Sequence, residues 1–347
     1  MASVCFVSET GRGDRPLFDP SVRYRCFHPA EALTERGNVC SVYSAAQFYA
    51  DPSFDYDVYV FHRPSVARVS FAPVARLLQD RGKTLVADYD DLIFGTEEIA
   101  LQSSAVKNKT LDPERALAVF ASNLEALRLF DKVSVSTEPL AQRVRQSHPG
   151  ATVAVTPNIV PPSILALHAD LETYLTPRPK TAIGYFAGTK SHDADFPVVA
   201  PALHRVLMEN PDFTLMVVGP VALPPALAAL PNVSTAPIVN YLRLPGLMTN
   251  CSTVIAPLEA SEFNMCKSRV KFLESALSGT RLLASPIPDM RAVGADRVEL
   301  MGSFDDWYEA LSSSPDLAGD TDRAIGNFEF LRSTSHVDGL ASLWGAA

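Results

Sequence analysis

The chain has 347 residues, 47% of them hydrophobic and 20% charged, enough for two ordinary domains with full cores, and its net charge of −9 without a dense lysine or arginine run excludes a nucleic-acid partner. Cys5, Cys26, Cys40, Cys251 and Cys266 are scattered without a CxxC pair, and the chain opens directly into VCFVS with no basic or long apolar leader. No apolar run nears the ~20 residues of a transmembrane helix, so the expectation is a cytoplasmic protein, with any membrane contact peripheral on the inner face of the plasma membrane.

Residues 4–8 read as a short apolar strand that opens into Glu9-Thr10-Gly11-Arg12-Gly13, followed by an amphipathic helix over 22–37. Gly11 and Gly13 let a backbone approach a ligand or simply make a turn; they fall short of a GxGxxG fingerprint. Strands follow at 39–43, 58–61 and 83–87, the last two ending in His62-Arg63-Pro64 and Asp88-Tyr89-Asp90-Asp91. Ligands bind at the carboxyl ends of strands in doubly wound sheets, so His62, Asp88, Asp90 and Asp91 are site candidates, with helix capping as the competing use of one aspartate. A helix at 113–130, strand 133–136, helix 138–146 and strand 153–155 complete a first α/β half. Prolines then cluster from Pro157 to Pro179 without periodicity, which reads as a linker.

The alternation restarts with strand 182–186, the loop from Ala187 through Gly188, Thr189, Lys190, Ser191 and His192 to Asp193, a helix near 196–209 and strands at 213–218, 233–235 and 253–256. Helices are expected at 305–311 and from 320 on. The expected domains are 1–158, a linker at 159–180, 181–325, and a C-terminal helix at 326–347 that packs back on the first domain. The fold class is α/β, two Rossmann-like domains facing each other across a cleft.

The stretch EASEFNMCKSRVKFLESALSGTRLLAS organises the second half. It reads as a helix with Asn264 as N-cap and Gly279 as stop, then a buried strand. Cys266, Val270, Leu273 and Leu277 form an apolar stripe, and Lys267, Lys271, Glu274 and Ser278 a polar row beside it. Two readings fit the row: a solvated surface face, or a site where a diphosphate lies over the helix N-terminus and Glu274 holds a ribose. An i,i+3 pair such as Lys271 and Glu274 contributes only ~0.2–0.5 kcal/mol, so helix stability alone explains little of it.

In order and spacing, SVRYR, KTLVADYDDLIF, KVSVSTEPLAQRV, VTPNIV, IGYFAGTKSHDADF and FNMCKSRVKFLESALSGTRLLAS together resemble the GT-B glycosyltransferases, in particular family-4-like bacterial enzymes of surface polysaccharide (O-antigen, capsule) synthesis. The resemblance covers nearly the whole chain. It implies a nucleotide-sugar donor on the C-terminal domain, a glycan or lipid-linked acceptor on the N-terminal domain, other transferases of the same pathway as partners, and retention of anomeric configuration. It implies donor contacts from Gly188, Thr189, Lys190, His192, Asn264, Lys267, Ser268, Lys271 and Glu274, and acceptor contacts from Gly11, Arg12, Gly13, Tyr24, Arg25 and His62. Asp88 or Asp90, with Lys190 and Lys267, are the expected catalytic groups. The family's pair of glutamates has seven residues between its members, but Cys266 occupies the first place and Glu259 and Glu262 are displaced from it.

No cofactor and no metal is expected, because lysines and a helix N-terminus can stabilise a departing diphosphate. Three alternatives stay open: a metal-dependent GT-A transferase using the triplet Asp88-Tyr89-Asp90, a nucleotide-sugar epimerase of the same architecture, and a non-catalytic nucleotide-sugar-binding subunit.

Overall fold

The computed structural model describes residues 1–9, 15–168, 181–188, 193–313 and 317–345. Two parallel six-stranded sheets, each covered by helices, organise the chain. The first contains β1 (Ser3–Ser8), β2 (Val39–Ser44), β3 (Val58–His62), β4 (Thr84–Tyr89), β5 (Lys132–Val135) and β6 (Thr152–Val155), in the order 2-1-3-4-5-6. The second contains β7 (Ala182–Phe186), β8 (Thr214–Val218), β9 (Val233–Ala236), β10 (Thr253–Ala256), β11 (Arg281–Ala284) and β12 (Glu299–Leu300), in the order 12-11-10-7-8-9. Counted from β7, the second order is that of a dinucleotide-binding fold, and the first is the related arrangement that starts 2-1-3. The central strands are buried on both faces, which is why they read as unbroken apolar runs such as Val4 to Val7 and Val58 to Phe61.

Order of strands decides where ligands can bind. Strand order reverses between β1 and β3 in one sheet and between β7 and β10 in the other, and each reversal leaves a crevice at the carboxyl ends. Register lines up Ser8, His62, Asp88 and Ser134 across one sheet edge. Phe186 ends β7 and Ala256 ends β10 at the other.

The expected helix over 22–37 forms from Asp19 onward. The Asp19 side chain accepts from Ser21 N, Pro20 sits in the first turn, and the helix continues to Glu35 through a π-turn at Arg23–Phe27. A π-turn adds a residue per turn and re-aims side chains, a feature frequent at functional sites. Here it turns Arg23 and Tyr24 to the cleft and Arg25 into the interior.

The C-terminal segment differs from a single returning helix. The helix Leu317–Thr334 gives Phe328 and Leu331 to the second domain's core, while Val337, Leu340, Ala341 and Leu343 lie with Val4, Phe6 and Ile159 in the first. Gly339 is required where they meet, because a Cβ there would stand 2.4 Å from the Val155 carbonyl oxygen.

Candidate functional site

The two crevices face one cleft of about 800 Å³. Its N-terminal wall carries Ser21, Arg23, Tyr24, Arg63, Asp90 and Asp91, and its C-terminal wall Gly188, Tyr241, Lys267, Ser268, Lys271 and Glu274.

The organising stretch is not one helix. Ser261, rather than Asn264, caps a short helix Glu262–Met265, the chain breaks at 266–269, and a second helix runs Val270–Leu277 to Gly279 at φ 61°. The reason is that the apolar stripe serves two cores. Phe263 and Cys266 pack into the first domain, whereas Val270, Leu273 and Leu277 pack into the second, so a straight helix cannot satisfy both. Thr137 Oγ1 donates to the Cys266 carbonyl at 2.9 Å, and burial pushes the Cys266 thiol up to about 11. Cys266 is thus a packed neutral thiol with no access to the cleft. Glu259 and Glu262 also turn away, pairing with Lys107 at 2.6 Å and with Arg143 of the first domain.

The break has a consequence for anions. Arg269, the N-cap of Val270–Leu277, gives the helix no side-chain cap, although its own N–H donates to Asp289 Oδ2 at 2.7 Å, and Ser268, Val270 and Lys271 lie on the cleft surface. Uncapped N–H groups and the helix dipole favour a negative group there, and Lys267 stands just before them. Lys271 Nζ lies 2.5 Å from Glu274 Oε2, and Lys267 Nζ lies 3.8 Å from Asp91 Oδ1. Lys267, Lys271 and Glu274 therefore face the cleft, not open solvent, whereas Ser278 is buried with its Oγ donating to the Ser275 carbonyl at 2.9 Å.

On the opposite wall, alternation along a strand separates two aspartates that look equivalent in sequence. Asp88 is 1% exposed and is held bidentately by Arg25, with Nε–Oδ1 at 2.9 Å and Nη2–Oδ2 at 2.6 Å. Arg25 also donates to Ser134 Oγ at 3.3 Å, the Thr156 carbonyl at 2.6 Å and Asn158 Oδ1 at 3.0 Å, tying the ends of β4, β5 and β6 together. Burial acts to raise the Asp88 carboxyl, but Arg25 and His62 outweigh it and hold it below the usual carboxylate range. Asp90 lines the cleft and accepts from Arg63 Nε at 2.7 Å and from Ser21 Oγ. Burial opposes its charge too, and Arg63, His62 and Ser21 keep it well below the ordinary value.

Several expected contacts are therefore corrected. Asp88, Arg25 and His62 are buried and absent from the cleft wall, because their charges and hydrogen bonds are spent on one another. Asn264 is buried with Nδ2 2.8 Å from Asp195 Oδ1 and 3.1 Å from the Glu259 carbonyl, a loop-fixing role. Tyr24, Asp90, Gly188, Lys267, Ser268, Lys271 and Glu274 do meet in the cleft. Gly11, Arg12, Gly13, Thr189, Lys190 and His192 lie outside the described residues.

Sequence reasoning missed Arg63, Ser21, Arg23 and Tyr241. Arg63 follows the last residue of β3 at the switch point and sits in the left-handed region, φ 53°, a conformation costly for a non-glycine residue and common at functional sites. Arg23 spans the cleft, its guanidinium 4.0 Å from the Tyr241 ring centroid. Asn158 crosses as well, donating to Ser268 Oγ at 2.9 Å. Among the described residues no group of three or more His, Cys, Asp or Glu is arranged to hold a metal ion, and no helix is long and apolar enough to cross a membrane.

No protein-family model and no curated protein matches the chain in sequence. Solved structures match it in shape. The chain is similar to HepE of Anabaena in complex with UDP and glucose, with a TM-score of 0.63 and 13% identity over 99% of this chain and 98% of that one. It is similar to sucrose-phosphate synthase of Thermosynechococcus elongatus, TM-score 0.65 and 13% identity over 99% and 98%. It is also similar to α,α-trehalose 6-phosphate synthase of Burkholderia multivorans, TM-score 0.63 and 14% identity over 99% and 98%. The fold is GT-B: two Rossmann-like domains across a cleft.

Proposed function

We propose that the protein is a glycosyltransferase that moves a sugar, in the first instance a hexose, from a nucleotide-sugar on the C-terminal wall to a glycan or lipid-linked glycan on the N-terminal wall. The observation that carries this reading is the cleft-facing row Lys267, Lys271 and Glu274 at the uncapped start of Val270–Leu277, beside the β7/β10 switch point. Cations and free N–H groups suit a diphosphate there, and Glu274, about a turn further in, suits ribose hydroxyls. The likeness to HepE in complex with UDP and glucose supports the same assignment. A role in bacterial surface polysaccharide synthesis rests on the sequence resemblance.

Departure of the diphosphate needs its growing charge stabilised, and Lys267 and the helix N-terminus supply that without a metal. The pairing of Asp88 with Arg25 and of Asp90 with Arg63 supports this, since a metal at Asp88-Tyr89-Asp90 would have to displace both guanidinium groups. Retention of configuration is what the resemblance implies, with the leaving phosphate taking the acceptor proton.

Thermal unfolding against UDP-, GDP-, ADP- and CMP-sugars, with and without EDTA, tests the proposal. One class is expected to stabilise the protein by ~2.7 kcal/mol at a hundred times its dissociation constant, EDTA making no difference. That donor is then expected to release its nucleoside diphosphate only with an acceptor present. Stabilisation by none of the four, or loss of turnover in EDTA restored by Mn²⁺, contradicts it.

A further inference from the structure

Two arginines of the π-turn are buried to a similar degree and partnered in opposite ways. Arg25 is 2% exposed and spends its donors on the Asp88 carboxylate and on neutral oxygens around it. Arg23 is 4% exposed, lines the cleft, and donates from Nη1 to the Leu17 carbonyl at 3.3 Å. Beyond that it meets two aromatic faces, its guanidinium carbon lying 5.3 Å from the Tyr24 ring centroid and 4.0 Å from that of Tyr241 on the opposite wall. Burial raises the Tyr24 phenol well above its ordinary value, so that neighbour is uncharged. Among the described residues Arg23 forms no ion pair. A buried cation is costly without a counter-charge, and ring faces offset only part of that cost.

The carboxylates nearby are engaged elsewhere. On the described cleft wall Asp19 accepts from Ser21 N at 3.0 Å, Asp90 pairs with Arg63 at 2.7 Å, Asp91 with Lys267 at 3.8 Å and Glu274 with Lys271 at 2.5 Å. Glu31, which shares a second cavity with Tyr241, accepts from Ser163 N at 2.6 Å and from its Oγ at 3.0 Å. His28, edge-on to Tyr24, adds no charge, since burial pushes its imidazole down to about 3 against the bond to the Ile159 carbonyl, with Arg23 adding to the shift. Arg23 is therefore a fixed positive charge with spare donors at the cleft.

We infer that Arg23 binds an anionic group of the acceptor, a carboxylate or a phosphate, so that the enzyme selects a negatively charged glycan over a neutral one. The inference rests on the transferase reading and names the acceptor class within it. In that reading the donor's diphosphate is met on the C-terminal wall by Lys267 and the start of Val270–Leu277, whereas Arg23 belongs to the N-terminal wall, on the acceptor's side. The planar guanidinium fork suits two-point binding of either anion. Tyr241 holds that fork from across the cleft, and Phe18 packs edge-on against the same ring at 6.2 Å, so the arginine is in place before the ligand arrives and little ordering is left to binding.

The test is calorimetric titration of the full chain, saturated with the nucleoside diphosphate it binds, with glucose, galactose and mannose, each beside its uronic acid and its 6-phosphate. In at least one series an anionic form is expected to bind about tenfold tighter than the neutral sugar or better. A tighter uronic acid identifies a carboxylate, a tighter 6-phosphate a phosphorylated sugar or phosphate link. Arg23→Met, which keeps the stem of the side chain, is expected to abolish the preference while leaving the dissociation constant of the nucleoside diphosphate within about twofold. Arg23→Lys is expected to keep part of the preference, because it retains the charge without the fork. No preference for an anion in any series overturns the inference whether or not the variants fold. So does an undiminished preference in Arg23→Met, or a tenfold loss of nucleoside diphosphate affinity there, which would assign the arginine to the donor. Each of these leaves transfer standing. Binding of no nucleoside diphosphate by the wild type overturns the transferase reading, and the acceptor class with it.

Discussion

Replacing Arg25 with methionine is expected to lower the free energy of unfolding by about 3–5 kcal/mol. Methionine approximates the stem of the side chain, so little packing volume is lost. What is lost is the partner of a carboxylate that is itself 1% exposed, together with donors to the Thr156 carbonyl and Asn158 Oδ1. The acid dependence of stability should move as well. In the wild type the Asp88 carboxyl is depressed, so its contribution is complete above the ordinary carboxylate range and is lost only as pH falls through the lower folded-state value. Without Arg25, burial raises the group instead, and the loss begins nearer neutrality. Urea unfolding at pH about 7 and about 5 measures both effects. A change under about 1 kcal/mol at either pH would mean that Asp88 is not held by this pair.

Lys267→Ala is expected to reduce the single-turnover rate of transfer about 10²–10³-fold while weakening nucleoside diphosphate binding much less. Lys267 is loosely engaged before the reaction: its ammonium is 3.8 Å from Asp91 Oδ1 and 4.7 Å from the Phe263 ring centroid. A group in that state has more to gain when charge builds on the leaving oxygen than in the ground state. Lys271, already 2.5 Å from Glu274, is placed to act mainly in binding. Equal losses of rate and affinity in Lys267→Ala would remove the distinction between the two lysines.

How much of this was legible beforehand depends on the range of the interaction. Strand positions were readable because buried parallel strands are continuous apolar runs, and strand 182–186 coincides with the observed Ala182–Phe186. The polar row Lys267, Lys271 and Glu274 was readable because it repeats at helical spacing. The role of Cys266 was not, since periodicity cannot tell which of two cores a stripe will enter. Nor was the split between Asp88 and Asp90. Both sit at one strand end, and the arginine that claims Asp88 lies 63 residues away in sequence, on a π-turn that no propensity announces. Arg63 carries no local sequence signal because its left-handed backbone is set by tertiary contacts, among them its N–H bond to the Asp88 carbonyl at 2.8 Å.

The central claim is that the cleft-facing start of Val270–Leu277 binds a nucleoside diphosphate, and calorimetric titration of UDP into the wild type and into Glu274→Ala tests it most directly. Charge-assisted hydrogen bonds to ribose hydroxyls typically contribute about 1.5–3 kcal/mol each, so Glu274→Ala is expected to weaken binding at least about tenfold with the unfolding free energy changed by no more than about 0.5 kcal/mol. If UDP is not bound, GDP, ADP and CMP are titrated in the same way. Equal affinity of wild type and variant for whichever nucleotide binds, or binding of none, would contradict the assignment of this helix as the donor site.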